Sequence, residues 1–576
     1  MKLINDYLPY YGSVHRGNGF KSLMSTHLFE AAREAIMELV HANEKDHVCI
    51  FTRNTTESIN RLSRRFHYTK ERFVVITTEI EHNSNDLPYR ENAPKVIHAN
   101  VFKNGKFNYD DLYAKINEYG KNLAFVAVSA ASHVTGDILP VHEIARKTHE
   151  VGGQIFVDCA QLISRRDIDI KPLSDPEHLD YIAFSGHLLY APFGTGALVG
   201  RRDTFEEGAP DFQGGGAVEL VSLTEVLWAP PPDREEAGSP NIPGSVAILA
   251  AIRQLQLVGI NNIAEHENAL HAYALQKLAS VPGIRFFHDA NPSNASNRIG
   301  ILTFTISTVS QTKVAAILGY EYGIGVRAGC LCAHPLIAKL LDLPDNFWSD
   351  YREQLEKCNC VDKPGVIRCS LGLFNTMKDI DALHSALMKI STGQFKGQYS
   401  LQENGEYIPK GWDSKIYQEH LSVLKSVIKV DQAALRLSTA SNSPTKTPAS
   451  SPLRIDTSSP NQLQPPKSPE LTRISIASAA EESSPKTADT SSSKKSFWEK
   501  LGFGRKAKEA NHVQVHPAEG DVMTDAPSKP SAVPRPSKEL PSYGDLLAEL
   551  AASPTKPALS TTSSNQEMDN LISELK

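Results

Sequence analysis

The stretch DYIAFSGHLLYAPFGTGALVG, residues 180–200, decides the fold. Its first part, YIAFS, is short, continuous and apolar, the pattern of a strand buried on both faces. A Ser-Gly-His turn follows, then a glycine-bearing loop, then a second apolar run, GALVG. In an open α/β sheet, ligands bind beyond the carboxyl ends of the strands. Ser185 and His187 therefore stand where an anion would be held, while Leu188 and Leu189 place an apolar centre in the same loop.

Working outward, similar runs recur at HVCIFT (47–52), FVVIT (73–77), LAFVAVSA (123–130) and QIFVDCA (154–160). Helical patterns lie between them. THLFEAAREAIMELV (26–40) places Leu28, Ala32, Ala35 and Leu39 on one face, with Thr26 as the expected cap, and VHEIARKTHEV (141–151) is similar. Alternating strands and helices predict an α/β fold with a mostly parallel sheet. After residue 245 the rhythm changes to long helices (SVAILAAIRQLQLVG, AEHENALHAYALQKLASV) and few strands (RIGILTFTI). The expected organisation is a large domain over 1–245 and a smaller α+β domain over 246–395. A partly helical extension over 396–430 and a disordered Ser/Pro-rich tail over 431–576 follow.

The 576 residues are 40% hydrophobic and 22% charged with a formal net charge of -6, which gives no reason to expect nucleic-acid binding. No apolar run reaches membrane-spanning length, and the first thirty residues show no secretory signal pattern. Seven cysteines in such a chain are too sparse for a disulfide scaffold and fit a reducing compartment, so the cytoplasm is expected. Cys330, Cys332, Cys358 and Cys360 form two C-x-C pairs; structural zinc sites favour wider spacing, so no metal site is expected there. Cys49 and Cys369 read as core residues.

Each strand end offers candidate chemistry. After HVCIFT, Thr55 and Thr56 open a helix; they serve either as a phosphate cradle or as plain N-caps. After FVVIT comes EIEHNSNDLPY with His82, a residue type that more often caps or covers a surface. QIFVDCA delivers Asp158 and then Gln161. An acid at the end of a central apolar strand is costly unless paired with a cation, such as a protonated ring nitrogen. Phosphate donors, an acid for a cationic heterocycle and a histidine that can stack on a ring form an inventory suited to pyridoxal phosphate (PLP).

In order along the chain, VHRGNGFKSLMST, FTRNTTESIN, EIEHNSNDLPY, SHVTGDILPVHEIA, FVDCAQL, FSGHLLYAPFGTG, QGGG, REEAGSPNIPG, GIGVRAGCLCAHPL and IRCSLGLFNT resemble the class V aminotransferase family, in its cysteine desulfurase and selenocysteine lyase-like branch. The resemblance runs from Val14 to about residue 392 and implies fold type I of the PLP-dependent enzymes. It implies that Thr55, Thr56, Ser185 and His187 bind the cofactor phosphate, and that His82 stacks on the ring and takes part in catalysis. Asp158 would pair with the ring nitrogen and Gln161 with the ring oxygen. Ser239 would reach the phosphate of a neighbouring subunit, so a homodimer is implied. Arg368 would clamp the carboxylate of an amino-acid substrate, and Cys332 stands where desulfurases carry the cysteine that accepts sulfur.

Three features depart from the family pattern. Leu188 occupies the position of the lysine that bonds the cofactor covalently and serves as base at the substrate Cα. His133 stands where an asparagine is usual. Fourteen residues precede His15, where the family has a longer lead-in with an Ala-Ala turn. The expected function is therefore an impaired or inactive relative that retains non-covalent PLP and serves as a scaffold or regulator. The alternative is a lysine-independent lyase or desulfurase acting on cysteine or a related amino acid through Cys332, with His133 or His187 as base. In the tail, Ser443, Ser451, Ser459, Ser468, Ser484 and Ser553 precede proline and suit proline-directed phosphorylation. SKKSFWEKLGFGRKAK (493–508) suits a membrane surface or an acidic partner, and ELPSYGDLLAEL and QEMDNLISELK suit docking to unknown protein partners. A solvated tail explains these segments equally well.

Overall fold

A computed structural model of the chain describes residues 2–15, 17–344, 346–356 and 364–413. Cys358, Cys360, the Ser-Pro sites, the segment 493–508 and the two docking segments lie outside the described residues.

Seven strands form the main sheet: β1 (His47–Thr52), β2 (Val74–Thr78), β3 (Lys95–Ala99), β4 (Leu123–Ser129), β5 (Gln154–Asp158), β6 (Tyr181–Ser185) and β7 (Gly196–Arg201), in the order β1-β7-β6-β5-β4-β2-β3. The pairs β3–β2, β2–β4, β4–β5 and β5–β6 are parallel. Only β7 runs against its neighbours, β6 and β1. Every residue of β1, β2, β4 and β6 is buried, as their continuous apolar sequences require. The edge strand β3 lacks that signature: four of its five residues are at least partly exposed, so its sequence does not read as a strand.

A hairpin of β8 (Val218–Val221) and β9 (Val226–Trp228) follows. Helices Ile242–Val258 and Ile260–Leu278 then lead into a four-stranded antiparallel sheet. It comprises β10 (Ile284–Phe286), β11 (Ile301–Ile306), β12 (Arg327–Gly329) and β13 (Val366–Ser370), in the order β10-β11-β13-β12. Leu275, Leu302, Phe304, Ile317, Ile367 and Leu387 form the core behind it. Among the described residues no single helix is long and apolar enough to cross a membrane; only the bent pair 242–258 and 260–278 approaches that length and composition.

Local details correct two expectations. Thr26 is not a helix cap: the helix runs Phe20–Leu39 behind Gly19, and Thr26 Oγ1 sits inside it, donating to the Ser22 carbonyl and accepting from His15 N. Asn54, rather than Thr55 or Thr56, caps the helix Thr55–Arg65, its side chain accepting from Glu57 N at 3.0 Å. That frees both threonines from capping. Of the extension 396–430, residues 396–413 are described and contain a hairpin, β14 (Tyr399–Leu401) and β15 (Tyr407–Pro409); the helical part expected there lies outside the described residues. Gly405, at a φ of 78°, makes its turn.

The segment leading to Ser239 is anchored by charge. Arg33, from the helix Phe20–Leu39, grips Glu236 with two bonds of 2.9 and 3.1 Å, and Glu236 Oε1 also accepts from Phe51 N of β1 at 2.6 Å. Both side chains are only 10% exposed. Glu236→Ala leaves the buried Arg33 guanidinium with only the half-exposed Glu30 as a carboxylate partner, at 3.0 Å, and should lower the unfolding free energy by up to about 3 kcal/mol, measured by urea denaturation.

Candidate active site

The parallel strands deliver their side chains to one edge of the sheet. A cavity of about 400 Å³ lies there, lined by Asn54, Thr55 and Thr56 after β1, His82 and Ser84 after β2, and Ser129, Ala131 and His133 at and after β4. Asp158, Ala160 and Gln161 line it from β5, Ser185, His187 and Leu188 from β6, and Arg327 and Arg368 from the smaller sheet. Its size suits a small cofactor.

The turn quoted first is held by backbone constraint. Gly186 N donates to the Thr195 carbonyl at 2.6 Å, and a Cβ on Gly186 would meet that same oxygen at 2.6 Å. Glycine is therefore required where β6 turns into the short 3-10 helix Gly186–Leu189. This turn sets Ser185 against the start of the helix Thr55–Arg65. Ser185 Oγ accepts from Thr55 N at 2.8 Å and lies 2.7 Å from Thr55 Oγ1. Thr56 Oγ1 meets Ser84 Oγ at 2.7 Å. Hydroxyls around a helix N-terminus attract an anion.

Asp158 is the buried acid of the site. It accepts only Ala160 N, at 2.9 Å, on Oδ1, and no ion pair among the described residues reaches it. Burial pushes its carboxyl up to about 6. A buried carboxylate beside a cavity with no cation of its own marks a place for a cationic ligand. Behind it, Glu81 accepts from Ser129 N at 3.1 Å and Ser129 Oγ at 2.5 Å, fixing the end of β4.

His82 accepts from Ser84 N through Nδ1 at 3.1 Å, so its proton sits on Nε2. Burial, then the charges of Arg327 and Arg368, keep it neutral. Its ring lies 5.2 Å from that of His133, edge to face. His133 is buried, with its titration pushed down to about 3, chiefly by burial and then by His82 and Arg368. Its Nε2 donates to the Leu331 carbonyl at 2.9 Å. Asn83 N donates to the Cys332 carbonyl at 2.8 Å, so two bonds dock the cysteine loop on the sheet edge.

Cys332 itself does not line the cavity; Arg327 connects it, donating to Sγ at 3.2 Å. Nothing in the sequence around Arg327, GIGVRAG, signals this role. Arg368 donates to the His133 carbonyl at 3.0 Å and keeps a buried Nε without a partner. Burial, then Arg327 and Arg165, pull its titration down to about 10. Such a guanidinium suits a carboxylate ligand. Ser239 is exposed and does not line the cavity. Cys49 and Cys369 are buried in the core.

These groups lack a cation for Asp158, an anion for the Thr55–Ser185 turn and a carboxylate for Arg368. A protonated pyridine bearing a phosphate supplies the first two, and an amino acid the third, so the residues present fit PLP and an amino-acid substrate.

Comparison with known proteins agrees. The aminotransferase class-V family pattern matches residues 1–383. A probable cysteine desulfurase of Halalkalibacterium halodurans is 33% identical over 396 residues, covering 68% of this chain and 89% of that protein. A cysteine desulfurase of Dickeya dadantii is 31% identical over 394 residues, covering 67% and 86%. Among solved structures, the apo cysteine desulfurase of Thermococcus onnurineus NA1 superposes with a TM-score of 0.59 at 28% identity, covering 68% of this chain and 91% of that one. A cysteine desulfurase of Escherichia coli, in an S-sulfonic acid form, gives 0.57 at 26% identity, covering 69% and 92%. In fold, in sequence and in a donor set that fits PLP, this chain belongs to the class V aminotransferase family, on its cysteine desulfurase-like side.

Proposed function

We propose that this protein is a catalytically impaired cysteine desulfurase-like member of the family that holds PLP without a covalent bond. Leu188 on the cavity wall carries this reading: an aliphatic side chain faces the space where a cofactor aldehyde would need an amine. When bound, the cofactor would supply an electron sink for a developing carbanion. Asp158 would keep the ring nitrogen protonated, His82 would cover the ring face and Gln161 would meet the ring oxygen. Thr55, Thr56, Ser185 and His187 would hold the phosphate, joined by Ser239 from a second copy in a homodimer. Arg368 would orient a substrate carboxylate. Leucine can neither anchor the cofactor nor move the proton at Cα, so turnover drops while binding survives. The expected setting is the cytoplasm, with the domain division near residue 245 and the tail serving a scaffold or regulatory role.

A lysine-independent lyase reaction is the second reading, favoured by Cys332 beside Arg327. The strong depression of His133 makes that ring a weak base. His187 lines the cavity and is the better candidate on this reading.

Leu188→Lys separates the two. It should raise conversion of cysteine to alanine by about 10²–10⁴-fold over the wild type, the usual range for a restored acid–base group. Equal rates, with Cys332→Ala abolishing both, would favour the second reading.

Asp158→Asn should weaken PLP binding by about 10–100-fold in equilibrium dialysis, from the loss of a charge-assisted hydrogen bond. The same change should stabilise the cofactor-free protein at neutral pH. Because the folded Asp158 carboxyl stands above its unfolded value, near 6 against the usual 3.8, its ionised form carries a penalty that grows as pH rises through that window. Removing the charge should therefore raise the urea midpoint at pH 7.5, by up to about 3 kcal/mol in free energy. Wild-type affinity for PLP should also fall more steeply than that of Asp158→Asn as pH drops through 6, where the carboxyl takes its proton.

A further inference from the structure

At the opposite end of β6 from the cavity, three side chains converge where nothing in the reaction requires them. His149 lies in the last turn of the helix Val141–Glu150, His178 lies in the segment before β6, and Asp180 immediately precedes the strand. Asp180 is fully buried and His178 nearly so. The two imidazoles stack at 4.0 Å with 14° between their planes. His149 Nε2 lies 2.9 Å from Asp180 Oδ2, and His178 Nε2 lies 3.2 Å from Oδ1.

The protons do not balance. His149 Nδ1 faces the Pro176 carbonyl at 2.8 Å and His178 Nδ1 faces the Asp175 carbonyl at 2.6 Å. A carbonyl oxygen only accepts, so both Nδ1 atoms carry the hydrogen. In neutral rings both Nε2 atoms then turn lone pairs toward a carboxylate. Against the cost of burial, Asp180 raises the titration of His149, so a first proton makes an ion pair there, but Nε2 of His178 still turns a lone pair toward Oδ1, and a second proton would stack two imidazolium rings face to face. Arg201 is already there, donating to Asp180 Oδ1 at 3.1 Å, although its charge is also paired with Asp203 at 2.5 Å. One divalent cation between the two Nε2 atoms and the carboxylate meets the deficit without a stacked cation pair. Backbone carbonyls bonded to the distal nitrogens are the arrangement that orients histidine ligands on a metal. His142 Nδ1 adds a bond of 2.8 Å to the Glu177 carbonyl, so three consecutive carbonyls of this segment hold three histidines.

We propose that His149, His178 and Asp180 form a zinc site that clamps the helix Val141–Glu150 to the start of β6. The three ligand atoms lie within 4.8 Å of one another. Zinc bonds of about 2.0–2.2 Å need donors no more than about 4 Å apart and an ion in the plane of each ring, so binding tilts the two imidazoles out of their stack about the Nδ1–carbonyl contacts, with the fourth position left to water. The site is independent of PLP and of Leu188.

The test uses the full-length protein, with and without His149→Gln, equilibrated with buffered Zn²⁺ and dialysed. The wild type should retain about one zinc per chain more than the variant. Its Co²⁺ form should show d–d bands from this site without the thiolate charge-transfer absorption that cysteine ligands produce. Zn²⁺ should raise the thermal midpoint of the wild type and not that of the variant. Should His149→Gln fail to fold, C2-hydrogen exchange of His149 and His178, read by mass spectrometry on the wild type, replaces it: slowing by Zn²⁺ supports the site. Equal zinc content in both proteins, a purely thiolate cobalt spectrum, or exchange unchanged by Zn²⁺ overturns it.

Discussion

An uncompensated carboxylate organises this protein. Asp158 ends the central strand β5, is flanked by β4 and β6, and among the described residues meets one backbone amide but no cation. Such a charge is costly until a ligand completes it, and the surrounding residues are spaced for one. The parallel strands end in register around it: β5 pairs with β4 at Ser129 and with β6 at Ala183. The sheet topology therefore brings five loops to one rim. The helix Thr55–Arg65 presents its positive end on one side of the cavity, and Arg368 and Arg327 close the other. A cationic ring with an anionic arm matches that distribution of charge.

Leu188 lies within this intact frame, on the cavity wall. It alters neither the glycine-dependent turn at Gly186 nor the contact of Ser185 with Thr55. The backbone constraints that fold the loop do not involve the side chain at 188, so on the proposed reading the binding geometry survives without an amine there. His133 contributes to the frame in a different way. By donating to the Leu331 carbonyl it ties the cysteine loop to the end of β4, where Arg368 holds the same segment through the His133 carbonyl.

Much of this was legible in the sequence because buried parallel strands write themselves as continuous apolar runs. HVCIFT, LAFVAVSA, QIFVDCA and YIAFSG each stand out this way, and the residues just after them line the cavity. What stayed hidden lacked a one-dimensional signal. The edge strand β3 is half exposed and reads as loop. Asn54 was overlooked as a cap because the two hydroxyls beside it looked equally suitable. Arg327 reaches the cavity only because the antiparallel pairing of β12 with β13 sets it opposite Arg368. His149 lies far along the chain from His178 and Asp180, a spacing that resembles no metal motif. Only the fold, which sets the last turn of the helix Val141–Glu150 beside the residues that lead into β6, joins them.

The central claim, a family site that holds its cofactor without a covalent bond, is tested most directly by borohydride reduction of the PLP-loaded wild-type protein followed by intact mass measurement. The account predicts that cofactor co-elutes with the folded protein, is released on denaturation and leaves the chain mass unchanged after reduction. A phosphopyridoxyl group fixed to any lysine of the chain would contradict it.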